Sequence, residues 1–412
     1  MSIYRYLLLL LISTIFITCG EQRGKIESMM RESGKFDYVL DNAEKHKVQI
    51  IYTQIDRDKE NKPIFTTHTY RTDQGEYFYP ASSIKLPVAV MAIEKVNDEM
   101  LRGFTPFSTM MIDSAFSGQT SVYKDTSSHT GYPSLGHYIK KLFLVSDNDS
   151  YNRLYEFLGQ RDANVRMYQK GMEDVRITHR LSIPLSIEEN QHTNPMRFYY
   201  GDTLVYEQEA LHNEVVIKSD TPIYIGKGYM KGGQLINEPM DFTHKNAISL
   251  TSLHRTLQLV MFPEHFYPAE RFALNKIDYQ FLYQFMSKYP QESSFPYYGG
   301  RYEDDYCKFL MFAGTNGNID RNIRIYNKIG MAYGFLIDIA YIIDLEKKIE
   351  FMLGAVIYVN ENEILSDDQY EYESIGFPFM RDLGQLFYEY EVERPRANVP
   401  DLSKYNWKLW VE

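Results

Sequence analysis

The chain has 412 residues, of which 44% are hydrophobic, 24% charged and 15% aromatic. That composition excludes a disordered or fibrous protein and suffices for one large domain or two to three ordinary ones. With 44 Lys and Arg against 55 Asp and Glu the net charge is −11, and no basic stripe offsets it, so nucleic acid is not expected as a partner. The 35 tyrosines read as compositional bias with ordinary packing, the sharper alternative being an aromatic-lined groove for sugars or peptides.

Residues 1–18 combine Arg5 with a charge-free, mostly apolar stretch from Leu7 to Ile17. It is too short to span a bilayer comfortably and has the length of a secretory signal's hydrophobic segment. Cys19 and Gly20 follow at once. The arrangement resembles a bacterial lipoprotein signal, in which the cysteine becomes the lipidated first residue of the mature chain. Phe16 and Thr18 depart from that pattern, which ordinarily has Leu and a small residue at those places. The resemblance implies a protein anchored to a membrane through lipid on Cys19, in the bacterial cell envelope on the periplasmic or outer-membrane side. Plain secretion and an uncleaved anchor are the alternatives. Residues 19–36 are polar and are expected to form a tether. Cys307, the only other cysteine, then lacks an intrachain partner and is expected to be a buried free thiol.

Along the rest of the chain, 48–58 (VQIIYTQIDRD) and 64–72 (IFTTHTYRT) read as a strand and its hairpin partner. Apolar residues at helical spacing fill 84–98, behind the cap-like Ser82 and Ser83. The pattern is mostly helical from about 100 to 196, and 198–245 reads as a β-rich insertion. Helical spacing resumes over 250–262. Three strand candidates, 323–330, 332–344 and 349–360, form a meander before a last helix at about 376–390. The predicted fold is α/β in the α+β sense. A five-stranded antiparallel sheet flanked by helices is built from about 37–82 and 300–392, with a mostly helical lobe, about 83–296, inserted into it. Residues 37–412 form one catalytic domain, its cleft lying where the lobes meet.

Three short motifs carry the chemistry. Ser82 and Lys85 form S-x-x-K at the start of a predicted helix, one turn apart on one face. A lysine there can take the serine proton if burial and neighbouring charge lower its pKa; alone, the motif reads as a cap with an exposed lysine. Ser146-Asp147-Asn148 is a rarer triplet, with Asn152 one turn on; alone, it reads as an N-cap cluster. Lys328-Ile329-Gly330 sits in a strand candidate, where a glycine often marks close approach of a ligand or another backbone.

In this order and context the motifs resemble those of the serine β-lactamase and penicillin-binding protein superfamily, most closely class A β-lactamases. YPASSIKLPVAV (79–90), LFLVSDNDSYNRL (142–154) and NKIGMAYGFLIDIAYIID (327–344) carry the likeness, which covers roughly residues 37–392. The interval from Ser146 to Lys328 is longer than usual, and the insertion accounts for much of the excess. The resemblance implies that Ser82 is the acylated nucleophile and Lys85 its proton acceptor. It implies that Ser146 passes a proton to the leaving nitrogen, Asn148 binds the substrate's side-chain amide and Asn152 braces the catalytic loop. Lys328 would attract the substrate carboxylate, Gly330 would complete its motif, and the backbone N–H groups of Ser82 and Met331 would form the oxyanion hole.

Two departures qualify the likeness. Ile329 stands where the family has a hydroxyl that binds the β-lactam carboxylate. In the loop HRLSIPLSIEENQHTNP (179–195), the glutamate that activates the deacylating water in class A enzymes is expected near Leu185. Glu188 and Glu189 come three or four residues later, so one of them serves or no such base exists.

The expected function is β-lactam hydrolysis in the envelope, with the antibiotic resistance this implies. The alternatives are a penicillin-binding-protein-like peptidase or other serine acyl hydrolase acting on cell-wall peptides, and a catalytically weak lipoprotein that binds envelope glycans through the insertion. The ten histidines show no HExxH or paired ligand spacing, so neither a metal nor a cofactor is expected.

Overall fold

The structure, a computed structural model, describes residues 24–72, 75–99 and 103–406; the predicted signal and Cys19 lie outside the described residues. After the helical residues 24–33 (α1) and α2 (Asp37–Asp41), β1 (Gln49–Arg57) and β2 (Pro63–Tyr70) form a hairpin. The central helix α3 (Lys85–Glu99) leads to the short strand β3 (Thr109–Ile112). Helices α4 (Leu135–Val145), α5 (Asn148–Leu158), α6 (Gln160–Gln169) and α7 (Ile187–Gln191) follow. The insertion holds β4 (Met196–Tyr200), β5 (Thr203–Gln208), β6 (Tyr224–Ile225), β7 (Gly228–Lys231), β8 (Gln234–Ile236) and β9 (Met240–Asp241). Two more helices, α8 (Leu250–Met261) and α9 (Lys276–Ser287), precede the meander β10 (Ile323–Ala332), β11 (Phe335–Asp344) and β12 (Ile349–Tyr358). A two-residue strand β13 (Ile364–Leu365) and the C-terminal helix Phe377–Glu393 complete the described elements used below.

The two ends of the chain build one five-stranded antiparallel sheet in the order β10-β11-β12-β1-β2. Strands β11 and β12 are buried at every position, which is why they read as unbroken apolar runs rather than as alternating ones. The sheet divides two cores. On one face β1, β10, β11 and β12 pack Ile50, Ile325, Ile342 and Leu353 against Phe379, Leu383 and Phe387 of the C-terminal helix. On the other, Ile51, Ile339, Tyr341 and Met352 meet α3 and α8 of the helical lobe. Helix α3 is the lobe's axis: every residue from Leu86 to Ile93 is fully buried.

The expected fold class, a five-stranded antiparallel sheet with a helical lobe, is the observed one. The expected tether is not. Residues 24–33 form α1, and Ile26, Met30 and Phe36 are buried against the sheet; the polar composition of this stretch hides an apolar stripe at helical spacing. The β-rich insertion also begins inside a larger unit. β4 and β5 pair with β3, which lies in the stretch expected to be mostly helical, and β7 pairs with both β8 and the distant β13.

Candidate active site

Ser82 sits in a 3-10 turn, Ala81–Ile84, that feeds directly into α3. Ala81 takes a left-handed φ of 47°. The buried Ser83 hydroxyl donates to the Pro80 carbonyl at 2.7 Å. Ser83 is thereby committed to the turn, whereas Ser82 is half-buried. The expected cap role for this serine pair is replaced by a 3-10 entry without a side-chain cap. Lys85, the first residue of α3, is fully buried.

Helix α4 ends at Ser146, which takes a left-handed φ of 56° as its C-cap. The Asp147 carboxylate caps α5 by accepting the Ser150 N–H at 2.7 Å. This abrupt helix-to-helix junction turns Ser146 and Asn148 towards Lys85. The Lys85 amine donates to the Ser146 carbonyl, to Asn148 Oδ1 at 2.6 Å and, more weakly, to Ser146 Oγ at 3.4 Å. Lys328 arrives from β10 and donates to Ser146 Oγ at 2.8 Å. Two lysines from opposite lobes thus converge on one hydroxyl. Among the described residues no hydrogen bond joins Lys85 to Ser82; the amine is held by the Ser146–Asn148 junction.

Burial and the repulsion of Lys328 push the Lys85 amine well below its usual range, although Asp147 and the Cys307 thiol oppose the shift. Burial pushes Lys328 down to about 8, against the pull of Cys307 and Asp338. Cys307 is a buried free thiol, as expected, and burial raises its pKa.

Gly330 is where β10 passes the turn that carries Ser82. A Cβ at this position would lie 2.5 Å from the Pro80 carbonyl oxygen and 3.1 Å from the Ser83 nitrogen, contacts that only a glycine avoids. Met331, the next residue, is 45% exposed. Ile329 alternates to the other face of the sheet, 6% exposed within the core beneath the C-terminal helix. The position where a hydroxyl was expected therefore points into the core on the far face of the sheet.

The loop that begins at His179 is stapled from both sides. Asn152 accepts the Leu181 N–H at 2.7 Å and donates to the Leu181 carbonyl at 3.1 Å. Arg180 pairs with Glu156 at 2.7 Å and donates to the carbonyls of Glu189 and His192. The residue this anchoring delivers to the site is Ser182, with a left-handed φ of 58°; Asn148 Nδ2 donates to its hydroxyl at 2.7 Å. The Leu185 position expected from sequence is therefore corrected: Leu185 packs beside Gly118, and the loop residue bonded to Asn148 is Ser182. Glu189 is occupied elsewhere, in a capping box with Ser186 and a hydrogen bond from Ser117 at 3.0 Å. Those hydrogen bonds hold its carboxyl below the usual range. Glu188 is exposed on α7. Sequence reading passed over Ser182 because an isolated loop serine carries no pattern; the two polar atoms of Asn152 fixing its neighbour were the available signal.

A serine-bearing turn, a buried amine, a second hydroxyl bonded to a second amine, and a strand packed on the turn match the kinds of groups that acyl transfer uses. Among the described residues no group of three or more His, Cys, Asp or Glu is placed to hold a metal.

Residues 35–215 match the model of the beta-lactamase enzyme family. That stretch contains Ser82, Lys85, Ser146, Asn148 and Asn152, while Lys328 lies beyond it. Comparison with curated protein sequences gives no match. Among solved structures, the chain is similar to the chromosome-encoded beta-lactamase of Vibrio parahaemolyticus, at 12% identity and a TM-score of 0.48 over 87% of this chain and 98% of that one. It is also similar to a beta-lactamase from Streptosporangium roseum, at 13% and 0.46 over 90% and 98%, and to the beta-lactamase from Streptomyces albus G, at 13% and 0.46 over 90% and 99%. At such identities and scores these likenesses add nothing to the fold described above.

Proposed function

We propose that the chain is a serine hydrolase in which a β-lactam or related amide acylates Ser82, a reading supported by the match of residues 35–215 to the beta-lactamase enzyme family. The convergence of Lys85 and Lys328 on the Ser146 hydroxyl carries the reading.

Ser82 Oγ attacks the amide carbonyl, and its proton moves to the neutral Lys85 amine, which burial and Lys328 have made available as a base. The C–N bond breaks as Ser146 Oγ gives its proton to the leaving nitrogen and is reprotonated by Lys85. The Lys328 charge attracts a substrate carboxylate, and Asn148 is within reach of a side-chain amide. The backbone N–H groups of Ser82 and Met331 supply the oxyanion donors.

The same parts serve a peptidase of the penicillin-binding type acting on cell-wall peptides, which is the second reading. A lipid anchor on Cys19 and an envelope location belong to the proposal as well. Cys19→Ala should release the protein from membranes or leave it uncleaved. For the chemistry, incubation with a chromogenic cephalosporin followed by mass spectrometry should show a covalent adduct on the wild-type protein and none on Ser82→Ala. Labelling that survives Ser82→Ala would refute it.

A further inference from the structure

We propose that the acylated Ser82 is long-lived, because Ser182 stands where a base for the attacking water would have to act. The proposal rests on the reading of Ser82 as the acylated nucleophile.

Hydrolysis of the acyl ester adds water to the carbonyl carbon, breaks the bond to Ser82 Oγ and returns one proton to that oxygen. In between, a base must take a proton from the water, from within about 2.6–3.2 Å of it. A ring-opened lactam keeps its leaving nitrogen tethered to the acyl group. The nitrogen therefore continues to occupy the Ser146–Lys328 side from which it was protonated, and water must enter by the remaining wall. That wall, next to Asn148, is the stapled loop. Its contribution is the chain Ser182–Asn148–Lys85, linked at 2.7 and 2.6 Å. A serine hydroxyl binds water but does not deprotonate it at neutral pH.

Among the described residues, the carboxylates near this loop and Lys85 are engaged elsewhere or exposed. The charged and titratable groups acting on Lys85 are Lys328, Asp147 and the Cys307 thiol. Asp147 is committed to its helix cap, and Cys307 is buried with a raised pKa. Glu189 is turned to Ser117 and Ser186, and Glu188 is exposed on α7. The loop cannot readily swing either glutamate inward. Asn152 fixes Leu181, and Arg180 ties Glu189 and His192 to the buried Glu156. The site is complete for forming the acyl-enzyme and lacks one group for resolving it, a combination that suits capture of a lactam or slow transfer better than rapid turnover.

The test uses the full chain with benzylpenicillin, following intact mass and product against time. The wild-type protein should gain the mass of one whole lactam and hold it for many minutes. Ser182→Asp and Ser182→Glu, at an exposed loop position, should shorten the adduct's lifetime about 100-fold, within the range a positioned general base provides. Rapid wild-type turnover without an accumulating adduct, abolished by Ser82→Ala, would overturn the inference and leave the proposed function standing. A persistent wild-type adduct whose lifetime neither carboxylate changes would overturn the assignment of Ser182. Neither adduct nor turnover from the wild-type protein would remove the proposed function itself, and this inference with it.

Discussion

At the residue scale the proposed chemistry gives two amines opposite duties. Lys85 must be neutral to accept a proton, and burial together with Lys328 moves it that way. Lys328 must be charged to attract a carboxylate, and burial brings it down to about 8. The acylation rate should rise with pH as Lys85 loses its proton, then fall above about pH 8 as Lys328 loses its own. Stopped-flow acylation across pH should give this bell for a carboxylate-bearing lactam. Lys328→Ala should abolish the alkaline limb, raise KM and shift the acid limb upward, since Lys85 is then relieved of a repelling charge. A Lys328→Ala profile that coincides with the wild type would refute these roles. Gly330 makes a second residue-scale prediction. In Gly330→Ala the new methyl group meets the Pro80 carbonyl, and displacing backbone costs about 1–3 kcal/mol. Thermal unfolding should shift down, and acylation should slow, because β10 and the nucleophile turn move apart.

At the scale of elements, the loop from His179 is the piece whose conformation depends most on one side chain. Arg180 and Glu156 are almost wholly buried, at 2% and 3% side-chain exposure, and breaking such a pair costs about 3–5 kcal/mol. Arg153 also reaches Glu156, at 3.1 Å, which softens the loss. Arg180→Ala should expose 181–192 to limited proteolysis and lower the unfolding temperature, with Arg180→Lys intermediate; an uncut loop would count against the staple. The same contrast explains what was legible in the sequence. The meander, the hairpin 48–72 and helix α3 were readable because burial imposes apolar runs or helical spacing on many consecutive residues. S-x-x-K, the Ser-Asp-Asn triplet and K-x-G were readable because each is local. Ser182 was not, because its place depends on Asn152, far away in sequence. Nor was α1, whose few buried positions, Ile26 and Met30 among them, are diluted by charged residues. The pairing of β3 with β4 joins segments that no local pattern connects.

At the scale of the molecule, two histidines tie the fold's stability to pH. His254, on α8, is buried with its Nε2 bonded to Thr53 of β1 at 2.9 Å, and burial pushes it down to about 3. Burial pushes His179 down to about 4. Both are neutral when folded and take up protons near 6.5 when unfolded. The stability they allow is complete above about pH 6.5 and declines as pH falls through the interval to the folded values. Each contributes a slope of about 1.4 kcal/mol per pH unit within its window. Urea unfolding at pH 7, 5.5 and 4.5 should show the midpoint falling, and His254→Gln should flatten the fall. An equal acid dependence in that variant would place its origin elsewhere.

The sheet order also imposes a schedule. Ser82 and Lys85 are translated early, whereas Lys328 comes on β10, and β1 finds its partner β12 only when nearly the whole chain exists. Pairing over such sequence distances is slow to form. Until it forms, Lys85 is hydrated and has no second amine beside it, so it stays protonated like any exposed lysine, and Ser82 is an ordinary alcohol. On the proposed chemistry, reactivity thus comes only with closure of the ends: a nascent, truncated or unfolded chain holds the proposed nucleophile and its base in a harmless state until the C-terminal strands arm it.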